Sequence, residues 1–150
     1  EISECLVGSE MCIRDRQKET RDQLMNSQYY QTIAKAWDHL DIAVFGIGSP
    51  EMKGEEAWRG FYGDAVIAEL ENGKVAGDIC SRFYDGNGIP VHTGISDRTL
   101  TIELEQIKQA RYSIGVAESL EKVTGILGAL NGGYMNVLVT TQETAQKILE

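Results

Sequence analysis

Residues 111–139 read RYSIGVAESLEKVTGILGALNGGYMNVLV, and this stretch decides the fold. It opens on a short apolar run from Tyr112 to Val116, of the kind that forms a strand covered on both faces. Leu120, Val123, Ile126, Leu127 and Leu130 then recur at three- and four-residue spacing, which predicts a helix with one buried stripe. Asn131-Gly132-Gly133 stops that helix, because glycine accepts the left-handed C-terminal cap without steric cost. Residues 135–139 supply a second apolar strand. Joined by a right-handed crossover, the two strands are parallel and the unit is βαβ. Ligands of open parallel sheets bind beyond the carboxyl ends of the strands, so the loop after the first strand is the place to look for chemistry. Ser119 is the expected N-cap, which puts Lys122 in the first turn, at the positive end of the helix dipole. An anionic ligand would turn that unfavourable position into an advantage. The alternative is a solvated Lys122 paired with Glu118 or Glu121.

A chain of 150 residues suits one domain with a real hydrophobic core. Its 42% hydrophobic and 25% charged residues are those of a soluble globular protein. A net charge of −9 argues against this chain gripping nucleic acid itself, since phosphate contacts need a basic face. No apolar run is long enough to span a bilayer. Cys5, Cys12 and Cys80 lack Cys-x-x-Cys spacing, so neither a disulfide framework nor a zinc site is indicated, and a cytoplasmic location is expected. With His39 and His92 the only histidines, neither a metal nor a cofactor is expected.

Upstream, residues 1–16 do not fit the rest of the chain and read as a non-native leader, leaving 17–150 as the functional part. Residues 21–37 predict one amphipathic helix with Met25, Tyr29, Ile33 and Trp37 on a stripe. Residues 42–47 predict a buried strand, followed by Gly46 and Gly48, which either let backbone approach a ligand or simply make a tight turn. Residues 51–63, with Trp58, Phe61 and Tyr62, form a loop or short helix able to cover a pocket. Asp64 is the expected cap of a helix over 65–71. Residues 75–84 read as one strand, with Asp78 and Arg82 on the same face roughly 13 Å apart. Asp85-Gly86-Asn87-Gly88 then turns the chain back through 89–92. A loop (93–98), a short strand (99–102) and a short helix (103–108) lead into the βαβ unit, and a helix capped by Thr140 or Thr141 closes the chain.

No Walker-A loop, His-Glu-x-x-His motif, nucleophile elbow or kinase signature is present. Cys80 reads as a buried structural thiol rather than a nucleophile. Asp78 with His92 would make a base and a proton shuttle if the fold joined them.

Five segments carry a family resemblance. They are Gly46-Ile47-Gly48-Ser49, the run from Gly77-Asp78-Ile79-Cys80 to Asp85, Asp97-Arg98, Gly115-Val116-Ala117 with Glu121-Lys122, and the run from Ala129 to Thr140. Together they resemble the C-terminal sugar-binding domain of the SorC-type bacterial transcriptional regulators. The resemblance implies a Rossmann-like, mostly parallel α/β sheet with helices on both faces and an inserted hairpin, related to sugar-phosphate isomerases and deaminases. It implies a phosphorylated sugar as effector, homo-oligomers, and DNA binding only through a helix-turn-helix that this chain lacks, along with the first phosphate-loop units. Carried over, Asp78 would hold sugar hydroxyls and Lys122 the phosphate, with Arg98 a further candidate beside Gly46 and Gly48. An enzyme of the isomerase or deaminase kind, with Asp78 as base, is the alternative. The chain departs from the family at Glu118-Ser119-Leu120, where paired glycines are usual, and Glu118 would repel an anion.

Overall fold

The computed structural model describes residues 18–50 and 63–150. Residues 1–17 and the segment 51–62 lie outside the described residues, and with them the expected leader and the aromatic cover loop.

The chain enters through α1 (Lys18–Met25) and α2 (Gln28–Trp37). One continuous helix was the expectation; Ser27 divides it, its hydroxyl accepting from the Tyr30 N–H (3.2 Å) and donating to the Leu24 carbonyl (2.6 Å). Tyr29 points to solvent, and Tyr30 instead packs edge-on against Trp37. β1 (Ile42–Gly46) follows, then α3 (Asp64–Asn72). Asp64 lies inside α3 rather than capping it; Gly63 occupies the cap.

The expected single strand over 75–84 is a hairpin, β2 (Val75–Ile79) and β3 (Arg82–Asp85), with Ile79 opposite Arg82. Cys80 and Ser81 both adopt positive φ (52° and 62°), as two-residue hairpin turns require. The Asp78 carboxylate accepts the Ser81 N–H at 3.1 Å and fixes the turn. The second turn forms where expected, with Asp85 Oδ1 accepting from the Asn87 and Ile89 N–H groups before β4 (Pro90–Val91). Residues 99–102 form no strand; Thr99 donates to the Ile95 carbonyl while Ile102 enters the core. α4 (Leu104–Gln109) starts with a capping box between Glu103 and Gln106.

The βαβ unit is present: β5 (Tyr112–Val116), a 3₁₀ turn (Leu120–Lys122) continuing into α5 (Val123–Asn131), and β6 (Val137–Val139). α5 ends with Gly133 at φ +70°, the Gly133 N–H on the Leu130 carbonyl and the Tyr134 N–H on the Ala129 carbonyl, which is a Schellman motif. α6 (Gln142–Leu149) is capped by Thr141. β1, β5 and β6 form a parallel sheet in that order, and β2, β3 and β4 an antiparallel one. The mixed α/β class with a parallel sheet flanked by helices is the one expected. Ala43 and Phe45 of β1 meet Leu104 and Ile107 of α4, Ile126 and Ala129 of α5, and Tyr134 in the main core.

α5 lies along the hairpin. Its Gly125 packs against Gly77 and the Gly48 carbonyl, so closely that a Cβ on Gly77 would come within 2.8–2.9 Å of both and of the Tyr84 hydroxyl. At the other end Asn131 donates to the Gly86 carbonyl and Tyr134 to that of Gly88.

Candidate functional site

β5 and β6 end side by side, and an open cleft of about 560 Å³ lies beyond their carboxyl ends. Val116, Glu118, Ser119, Glu121, Lys122 and Thr140 are among its lining residues. The Ala117 N–H donates to the Val139 carbonyl (3.1 Å), carrying the ladder one step past β5. The Ser119 N–H then donates to Thr144 Oγ1 (3.1 Å), and Thr144 Oγ1 lies 2.9 Å from Thr141 Oγ1, which caps α6. One buried threonine thus ties the loop after β5 to the start of α6.

Ser119 is not the helix cap that spacing predicted. It sits at φ 119°, ψ 152°, a region occupied almost only by glycine, and its hydroxyl makes no cap bond. Ser119 Oγ and Thr140 Oγ1 are both shielded from solvent and have no hydrogen-bond partner. Native proteins pair nearly all such groups, so two in one cleft call for an explanation. Lys122 is half-buried, begins α5, and forms no ion pair with Glu118, Glu121 or any other described residue.

The remaining expected residues divide. Gly46 ends β1 opposite Val116 and so stands beside the cleft rim. Gly48 and Asp78 exchange backbone hydrogen bonds (3.0 and 3.2 Å), and the Gly48 carbonyl packs against Gly125, one turn along α5 from Lys122. Beside them the Tyr84 hydroxyl donates to the Gly125 carbonyl, and its pKa is pushed far up by burial first and then by the Asp78 and Tyr134 charges. Arg98 is not brought to this group: its Nε donates to the Gly94 carbonyl in the loop tied to Glu69 of α3. Asp78 and His92 do not meet, since His92 faces Asp97 at 3.2 Å. Cys80, expected to be buried, is exposed on its turn.

A second cleft, about 250 Å³, lies between Arg82, His92, Asp97 and Glu103. Its charges answer one another: Arg82, buried, binds Glu103 (2.6 Å) and the Ser96 carbonyl (3.2 Å). The sequence reading missed Ser119 as a strained residue and Thr140 as a wall. A hydroxyl residue shortly after each of two apolar strands was the available signal, and it was read only as helix capping.

No described helix is long and apolar enough to cross a membrane. Residues 11–150 match the Sugar-bind family, described as "Putative sugar-binding domain". The chain is 52% identical over 130 residues to the sorbitol operon regulator of Klebsiella pneumoniae, covering 87% of this chain and 41% of that protein. It is 34% identical over 122 residues to the deoxyribonucleoside regulator of Bacillus subtilis, covering 81% and 39%. The crystal structure of the full-length Klebsiella regulator SorC superposes with a TM-score of 0.85 at 50% identity, over 89% of this chain and 44% of that one. The chain therefore spans about two fifths of the length of these curated relatives, matching the C-terminal part of the sorbitol operon regulator. This chain belongs to the sugar-binding domain family of the SorC-type transcriptional regulators.

Proposed function

We propose that this chain is the effector-binding domain of a sugar-responsive transcriptional regulator, and that the cleft after β5 and β6 receives a phosphorylated sugar or sugar alcohol. The observation that carries the reading is the pair of solvent-shielded, unpartnered hydroxyls of Ser119 and Thr140 beside the unpaired Lys122 at the start of α5. The phosphate sits against Lys122, the two hydroxyls and the N–H groups at the start of α5. Glu118 and Glu121 accept hydrogen bonds from sugar hydroxyls farther out, where their charge is kept off the phosphate. Gly46, Gly48 and Asp78 build the floor under the first turn of α5, and Arg98 holds its own loop. The chain's role is recognition rather than turnover. The effector shifts a regulator between DNA-binding states by binding one of them more tightly. DNA contact and oligomer assembly belong to the longer polypeptide, and its place is the cytoplasm.

The similarity to a sorbitol operon regulator suggests the probes: sorbitol 6-phosphate and unphosphorylated sorbitol, compared by calorimetry. The phosphate ester binds more tightly, and Lys122→Ala weakens it by about 10- to 150-fold, as loss of a charge-assisted contact implies, while free sorbitol changes little. Equal binding of both compounds, or an unchanged phosphate ester affinity in Lys122→Ala, removes the phosphate from the proposal. Turnover of the phosphate ester would favour the isomerase or deaminase class instead.

A further inference from the structure

The loop after β5 and the start of α6 meet on one buried side chain. Thr144, 1% exposed, has its Oγ1 3.1 Å from the Ser119 nitrogen and 2.9 Å from Thr141 Oγ1. Among the described residues its hydroxyl has no other hydrogen-bond partner. A hydroxyl hydrogen rotates to suit its surroundings, so the direction of the bond between the two threonines follows from what each oxygen must satisfy. The Ser119 N–H can only donate, and it occupies one lone pair of Thr144 Oγ1. The Thr144 hydrogen then has a single acceptor within reach, Thr141 Oγ1. Were Thr141 the donor instead, the Thr144 hydrogen would be buried with nothing to accept it, an arrangement that native proteins avoid. The relay therefore runs one way, from the Ser119 N–H through Thr144 to Thr141.

Thr141 receives from two donors. As the cap of α6 its oxygen accepts the Thr144 N–H (3.4 Å), and the Thr144 hydroxyl fills the second lone pair. Only its own hydrogen is left. Thr141 is exposed and lines the cleft beyond β5 and β6 together with Thr140 and Lys122, so whatever it meets there must accept. Hydrogen bonds in series polarise one another, which makes the last hydroxyl of the relay a better donor than an isolated threonine. A sugar hydroxyl both gives and takes, whereas the oxygens of a phosphate dianion only accept, and accept strongly.

We propose that Thr141 is a further effector-binding residue, a one-way donor to the phosphate, and that Thr144 is the positioning residue that turns the Thr141 hydrogen towards it. The proposal rests on the effector reading of this cleft given above. It adds a third hydroxyl to those of Ser119 and Thr140, one whose direction is set before the ligand arrives. It also gives the backbone of Ser119 a task, because the N–H of that residue starts the relay.

The test measures sorbitol 6-phosphate, inorganic phosphate and free sorbitol against the 150-residue chain by calorimetry. Thr141→Gly removes the donor and keeps an acceptable helix cap. It is expected to weaken both phosphate compounds about tenfold, with free sorbitol unchanged and the melting temperature little moved. Thr141→Ser restores the affinity. Thr144→Val lowers both phosphate affinity and melting temperature, and Thr144→Ser recovers the affinity. Unchanged phosphate binding in Thr141→Gly overturns the proposal while the effector reading stands. So does an equal loss for free sorbitol, which would put Thr141 on the sugar. A wild-type chain that binds neither phosphate compound removes the effector reading and this proposal together. The direction of the relay is read without any ligand, by hydroxyl-proton NMR: the Thr144 proton is resolved and protected from exchange, and the Thr141 proton is not. A protected Thr141 proton would reverse the relay and overturn the proposal.

Discussion

Ser119 holds a backbone conformation that glycine occupies freely and serine does not, at a cost of about 1–3 kcal/mol. Its N–H is spent on Thr144 while its hydroxyl stays unpaired at the cleft, an arrangement with no advantage to the folded chain alone. Strain of this kind persists where a ligand uses it. Ser119→Gly separates the two roles. The substitution relieves the strain against an added unfolded-state entropy of roughly 0.5–1 kcal/mol, so the melting temperature holds or rises. Affinity for the sugar phosphate falls severalfold by calorimetry, because one hydroxyl is gone. A lower melting temperature with unchanged affinity would make Ser119 structural. The position of Lys122 at the start of α5 was legible in the sequence, because the apolar stripe that follows it fixes where the helix begins. Ser119 was not: sequence shows a residue type, not the dihedral angles that neighbouring backbone imposes on it.

At the scale of elements, the close approach of α5 to the hairpin is set by Gly125 and Gly77. A Cβ on Gly125 would meet the Ala76 and Gly48 carbonyls at 3.1 Å, and backbone there cannot step aside. Gly125→Ala is expected to cost about 1–3 kcal/mol in urea unfolding and to weaken effector binding by shifting Lys122. An unperturbed unfolding midpoint would show that the packing has slack. The elements themselves were unevenly legible. The βαβ unit, its glycine stop and the Asp85–Gly88 turn followed from local chemistry, since each carries its signal within a few residues. The hairpin at Cys80-Ser81 did not, because neither residue is a type that favours positive φ; the Asp78 side chain and the packing around it impose the turn. The break at Ser27 escaped for the opposite reason: an apolar stripe running through it outweighed a correct capping residue.

Across the whole molecule, pattern marked out the strands of the parallel sheet but not how many of their faces are buried. Residues 42–47 and 112–116 look like strands buried on both faces, and the structure buries one. A sequence does not announce which of its apolar faces the fold covers. The cleft beyond β5 and β6 draws its residues from both strands and from the starts of two helices, which no single stretch of sequence displays.

The clamp between the hairpin and α5, glycine against glycine at one end and Asn131 and Tyr134 on the turn at the other, also bears on how the native state opens. Segments held at both ends cannot fray separately, whatever their distance along the chain. Amide hydrogen exchange should therefore find Ile79, Phe83 and Tyr84 exchanging with the same opening free energy as Ile126 to Ala129, as one cooperative unit, while α1 and α2, which bury no residue completely, exchange orders of magnitude faster. Two distinct opening energies for the hairpin and α5 would mean that the clamp holds them together without making them open as one.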